Sequence, residues 1–170
     1  MAGGSASSSS RRFSQQCEGE AHMLVYPGGP HAHHRGRILV VDQDDWCREF
    51  LSQVIKLGNF GEIFLSTSVD EALAQLERLI FDVIITDLKL PEHQRLLEEG
   101  RRRHPAMRFI LMAQRGSQLY QFVQLEQVEI VIKPLSLDEM ARKIREALQA
   151  KHRLRVEENI LRLKQESFRL

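Results

Sequence analysis

The segment Phe81-Asp82-Val83-Ile84-Ile85-Thr86-Asp87-Leu88-Lys89-Leu90-Pro91 constrains this chain more than any other. Val83 to Ile85 is a short apolar, β-branched run, the pattern of a strand buried on both faces, and such strands belong to parallel sheets covered by helices on either side. The run ends on a carboxylate, Asp87. In open α/β sheets ligands and chemistry sit beyond the carboxyl ends of strands, so this acid is placed where a reacting or metal-binding group belongs. A lone Asp at a strand end more commonly shapes the next turn. The other strand ends decide between the two.

From Arg37 onward strand-like and helix-like segments alternate. Ile38-Leu39-Val40-Val41 reads as a buried strand, and Phe50, Leu51, Val54 and Ile55 recur at helical spacing until Gly58 stops the helix. Glu62 to Leu65 makes a second strand. Ser68-Val69-Asp70-Glu71 is a capping box that opens a helix carrying Leu73, Leu76 and Ile80. The Asp87 strand is third, a helix spans about Glu92 to Arg103, Phe109 to Met112 is the fourth strand and Val128 to Ile132 the fifth. Gln118 to Gln124 has room for only a short helix. Five strands in βα alternation predict an α/β fold, a doubly wound parallel five-stranded sheet.

Two further parts flank this domain, which is assigned residues 37–150. Residues 1–36 are rich in Ser, Gly, His and Pro and cannot bury enough apolar surface to fold, so they are expected to be a disordered leader. His31, His33 and His34 in that leader read as solvated linker rather than a metal site. Ser136-Leu137-Asp138-Glu139 is a second capping box, and no Gly or Pro follows it, which predicts one long C-terminal helix. Residues 151–170 form its extension past the domain. There Leu154, Leu161 and Phe168 repeat every seven residues, and Val156, Ile160, Leu163 and Leu170 make a second stripe, so the extension is a candidate for homodimerisation or partner docking.

Composition excludes several classes. The 170 residues with 42% hydrophobic content fill one core, and a formal net charge of +1 gives no general field for nucleic acid. Arg101-Arg102-Arg103 reads as a solvated helix face, and no DNA binding is assigned. Cys17 and Cys47 make neither a disulfide framework nor a metal pair. No apolar run reaches membrane-spanning length and the N-terminus lacks a secretory core, so a cytoplasmic protein with no membrane contact is expected.

The residues able to carry chemistry lie at strand ends. The fold draws Asp42, Asp44 and Asp45, then Asp87, Ala113 and Lys133 towards one cleft. Clustered carboxylates repel one another unless a cation sits among them, and Mg²⁺, which takes few protein oxygens and several waters, suits such a set. A neighbouring ammonium neutralises a transferred phosphoryl group. Together these point to phosphoryl transfer onto Asp87.

These fragments resemble the receiver domain of two-component response regulators. The resemblance rests on Ile38 to Asp42, Asp82 to Pro91, His104-Pro105 with Phe109 to Gly116, and Val131-Ile132-Lys133-Pro134, in the family's order, and covers about Arg37 to Ala150. It implies a flavodoxin-like (βα)₅ fold of CheY-like type and a non-enzymatic phosphoprotein in a phosphorelay. Asp87 would accept phosphate from a histidine kinase or phosphotransfer protein, and signalling would pass to a downstream protein partner. The resemblance further implies Mg²⁺ on Asp42, Asp87 and the backbone carbonyl of Lys89, Lys133 on the phosphoryl group, and a cis Lys133-Pro134 peptide.

The departures from the family pattern are equally specific. Gln43 stands where a second acid is expected, which weakens the Mg²⁺ site, and Asp44 could substitute only through a local shift or a bridging water. Ala113 stands where the switch hydroxyl belongs and cannot make its hydrogen bond. Ile130 replaces the aromatic of the fifth strand, and the loops after Pro91 and Gly116 are each about two residues short. The losses describe an atypical, degenerate receiver. Two functions therefore stand: a single-domain response regulator phosphorylated on Asp87, or a phosphorylation-independent pseudo-receiver that acts as an interaction module. An aspartyl phosphatase is disfavoured because Lys89 occupies the position of its second Asp.

Overall fold

The computed structural model describes residues 35–119, 122, 125 and 127–167. The leader up to residue 34, the stripe positions Phe168 and Leu170, and most of the short helix expected over Gln118–Gln124 lie outside them, whereas Gly36, assigned to the leader, is the first residue of a strand. Five strands form one parallel sheet in the order β2-β1-β3-β4-β5. They are β1 (Gly36–Val41), β2 (Gly61–Ser66), β3 (Val83–Asp87), β4 (Arg108–Ala113) and β5 (Val128–Ile132). The helices are α1 (Asp45–Leu57), α2 (Val69–Leu76), α3 (His93–Arg103) and α4 (Leu137–Ser167). The doubly wound sheet with a long C-terminal helix is the flavodoxin-like arrangement expected from the βα alternation.

The central strands carry no polar face because both sides are covered. Ile38, Val40, Val83, Ile85, Ile110, Met112 and Val131 point to one side, where Cys47, Leu51, Val54 and Ile55 of α1 and Met140, Ile144, Ala147 and Leu148 of α4 pack on them. Leu39, Val41, Ile84, Phe109 and Leu111 alternate to the other side, against Val69, Ala72, Leu73 and Leu76 of α2 and Leu96 and Leu97 of α3. Side chains that alternate with period two fix the register, since a one-residue slip would exchange the two faces. The register aligns the carboxyl ends: Asp87 is level with Met112, and Ala113 with Ile132.

The helix boundaries follow local chemistry, with two corrections to the sequence reading. α1 ends before Gly58 as expected, but Gly58 is right-handed (φ −77°) and the left-handed residue is Asn59 (φ 50°). Gly58 is required for space instead, because a Cβ there would meet the Phe60 ring at 2.1 Å. α2 stops at Leu76, so Ile80 is not a helical core residue but an exposed one in the following loop. Ser68 Oγ accepts from Glu71 N at 3.2 Å, whereas the Glu71 carboxylate reaches one residue further back, accepting from Thr67 N at 2.7 Å and Thr67 Oγ1 at 3.1 Å. The second cap, Ser136, accepts from Glu139 N at 3.2 Å. α3 begins without a side-chain cap, after Glu92 in the left-handed region (φ 60°). A non-glycine residue there is uncommon, and it turns the chain from Pro91 into α3 within a single residue.

α4 is one unbroken helix of 31 residues. Its first half is buried on the sheet. At the end of that half Lys151 forms an ion pair with Asp82, just before β3, and beyond it every described residue whose side chain is characterised is exposed.

Candidate functional site at the carboxyl ends of the strands

Asp42 is the first residue after β1, Asp87 the last of β3 and Lys133 the first after β5, so strand register alone brings them to one edge. The Lys133 ammonium joins the two acids, at 2.5 Å from Asp87 Oδ2 and 3.3 Å from Asp42 Oδ2. Asp42 and Asp87 are 3% and 6% exposed, so their charges are largely removed from water and need this partner. Burial alone would lower the Lys133 pKa. The hydrogen bond to Asp87 and the negative surroundings outweigh it, and the ammonium is held above its ordinary value.

Backbone groups orient both carboxylates. Lys89 N donates to Asp87 Oδ1 at 2.8 Å and Leu90 N to the Asp87 carbonyl at 3.2 Å, folding the chain after β3 around the acid. Asp44 N donates to Asp42 Oδ1 at 2.9 Å, and the Arg48 guanidinium donates to the Asp42 carbonyl at 2.5 Å. Lys133 N donates to the Ala113 carbonyl at 2.7 Å, tying β5 to the end of β4, and the Lys133-Pro134 peptide is cis. The anchoring role of Arg48 was not legible in the sequence, where it is one more charged residue on an amphipathic helix.

The remaining expected positions are distributed unevenly. Gln43 is exposed. Asp44 is the N-cap of α1: its Oδ1 accepts from Trp46 N at 2.9 Å and Cys47 N at 3.4 Å, which engages the carboxylate away from Asp87. Asp45 pairs with Arg48 on the outer side of α1. Ala113 is buried at the end of β4 and offers no hydroxyl to the site. Beneath Asp42 lies Cys47, 2% exposed, with its Sγ 3.9 Å from Met112 Sδ. Burial first, then the hydrogen bond and charge of Asp42, push the Cys47 thiol up to about 12.

Among the described residues no three His, Cys, Asp or Glu side chains are arranged as a metal cluster. A cation here would hold the Asp42 and Asp87 carboxylates and take its other ligands from a backbone carbonyl, which the receiver resemblance assigns to Lys89, and from water. Hard oxygen donors in that number fit Mg²⁺ better than a softer ion.

The fold and the strand-end acids define a CheY-like doubly wound domain. The family model described as the response regulator receiver domain matches residues 38–145, more than half of the chain, and the chain belongs to that family. Receiver domains take part in phosphorelay signalling with histidine kinases or phosphotransfer proteins, generally bind Mg²⁺ in their acidic pocket, and are not generally enzymes. A CheY-like receiver domain protein from Methanospirillum hungatei JF-1 is similar at 25% identity, covering 70% of this chain and 98% of its own, with a TM-score of 0.62. A receiver domain protein from Clostridium thermocellum shares the fold at 24% identity over 69% of this chain and 98% of its own, with a TM-score of 0.61. A structure described as adenylate cyclase from Rhodopirellula baltica also shares it, at 22% identity over 75% of this chain and 98% of its own, with a TM-score of 0.68. No curated protein sequence is significantly similar to this chain. No helix among the described residues is long and apolar enough to cross a membrane.

Proposed function

We propose that this chain is a response regulator receiver whose Asp87 accepts a phosphoryl group from a phosphohistidine of a kinase or phosphotransfer protein. The observation that carries this reading is the convergence of Asp42 and Asp87 on the Lys133 ammonium at the strand ends. In the transfer, an Asp87 carboxylate oxygen forms the new P–O bond as the P–N bond to the donor imidazole breaks, and that imidazole recovers a proton. Lys133 neutralises the phosphoryl oxygens from the position it already holds. Asp42, Asp87 and the Lys89 carbonyl would hold Mg²⁺, which supplies charge neutralisation when bound. The exposed amide of Gln43 contributes no charge, so this Mg²⁺ site is weak. The phosphorylated domain then acts through a protein partner.

A phosphorylation-independent interaction module is the second reading, and two observations favour it. The Lys133 ammonium already satisfies both buried carboxylates, and Ala113 gives a phosphoryl group no hydroxyl to pull on. Incubation with acetyl phosphate and Mg²⁺ followed by intact mass measurement separates the readings. The gain of one phosphoryl group, lost in Asp87→Asn, supports the first; no adduct with several millimolar Mg²⁺ overturns it and leaves the second.

A further inference from the structure

The exposed half of α4 carries large apolar side chains that the domain does not cover: Leu154, Val156, Ile160, Leu161 and Leu163 are each between 37% and 58% exposed. Around a helix of 3.6 residues per turn, Val156, Ile160 and Leu163 fall within about 60° of one another, at the alternating four-and-three spacing of a coiled-coil seam. Leu154 and Leu161 lie about 150° and about 130° away, seven residues apart with Glu158 between them, and form no comparable seam.

The charges beside the seam select its partner and direction. Glu157 and Lys164 flank it on the same side, seven residues apart. When two copies of the helix run antiparallel with Ile160 of each facing Leu163 of the other, Glu157 of each copy meets Lys164 of the other, giving two opposite-charge contacts by symmetry. The same arrangement sets the two Arg153 side chains roughly 25 Å apart along the axis. A parallel pairing would stack Arg153 on Arg153 at a seam position and would give neither Glu157–Lys164 contact.

We propose that α4 beyond Lys151 is a self-association element that pairs with a second copy of this chain as an antiparallel two-helix coil along Val156, Ile160 and Leu163. The apolar seam from Val156 to Leu163 covers only about one heptad, so the dimer is weak and concentration-dependent.

Sedimentation equilibrium of the full chain from about 1 to 300 µM, a range in which mass action exposes a weak dimer, tests this. A monomer–dimer equilibrium is expected. Ile160→Glu leaves a monomer throughout, with the near-ultraviolet signal of Trp46 unchanged as a check that the domain is folded. Glu157→Lys raises the dissociation constant about tenfold by placing like charges together twice, and Glu157→Lys with Lys164→Glu returns it to within about threefold of the original. A chain monomeric at every concentration, a species larger than a dimer, a dimer indifferent to Ile160→Glu, or a double variant no tighter than Glu157→Lys would each overturn the proposal.

Discussion

Lys133 bridges the carboxylates that end two different strands, and its shorter contact, 2.5 Å, is to Asp87. Because both acids are buried, the ammonium holds the site together electrostatically whether or not phosphate ever arrives. Lys133→Met should therefore leave two facing buried carboxylates and destabilise the domain by roughly 2 to 3 kcal/mol at neutral pH. Lys133→Met combined with Asp87→Asn should recover a large part of the loss, as read from urea unfolding midpoints.

Alkaline pH tests the same region with a definite sign. The Cys47 thiol rises from 9.0 to about 12, and Lys133 is raised above 10.5. Each is a group whose proton the folded chain keeps after the unfolded chain has lost it. Their contribution is complete below pH 9 and is lost as pH climbs through the folded values, at up to roughly 1.4 kcal/mol per pH unit for each group. Metal-free protein should lose urea resistance from about pH 9 upward, and the first part of the decline should flatten in Cys47→Ala.

If Gln43 is what weakens the metal site, restoring an acid there should strengthen it. Gln43→Asp is expected to raise Mg²⁺ affinity about tenfold, since the number of charged oxygen donors governs binding by hard cations. Trp46, three residues away and 68% exposed, supplies the fluorescence readout. An unchanged Mg²⁺ titration would place the cation elsewhere.

Asp44 distinguishes a cap from a ligand. Asp44→Ala should cost about 1 kcal/mol by leaving the first turn of α1 without its acceptor, whereas Asp44→Asn, which can still cap, should cost little. Neither should alter the Mg²⁺ response by more than about twofold if the carboxylate is spent on Trp46 N and Cys47 N. A large drop in Mg²⁺ affinity with Asp44→Asn would instead make it a ligand.

Much of this is legible in the sequence because the strands are both short and buried on two faces. Val83 to Ile85 and Ile38 to Val41 can only be central strands, and a parallel sheet then sends Asp42, Asp87 and Lys133 to one edge without further information. Contacts set by side-chain reach were not legible. Arg48 crosses to the Asp42 carbonyl from the next helix, and nothing in its spacing marks it. Asp44 does carry a signal, an Asp directly before a helical run, but its place among three acids suits a cation equally well. Gly58 illustrates a different limit: the helix ends where a glycine predicts it, yet the turn is made by Asn59 and the glycine is needed by the Phe60 ring.

The pairing of Asp82 with Lys151 has one more consequence. Asp82 also accepts from Arg37 N at 2.6 Å, so it fastens both β1 and α4 at the pole of the sheet opposite Asp87. The tail of the helix thus departs roughly 17 Å from the acid that marks the other end of the same strand, five residues away at about 3.3 Å each. Whatever happens chemically at Asp87 reaches that tail only by travelling the length of β3 or along the buried half of α4. Loosening the Lys151 fastening is the most direct way to find out whether the two poles communicate at all.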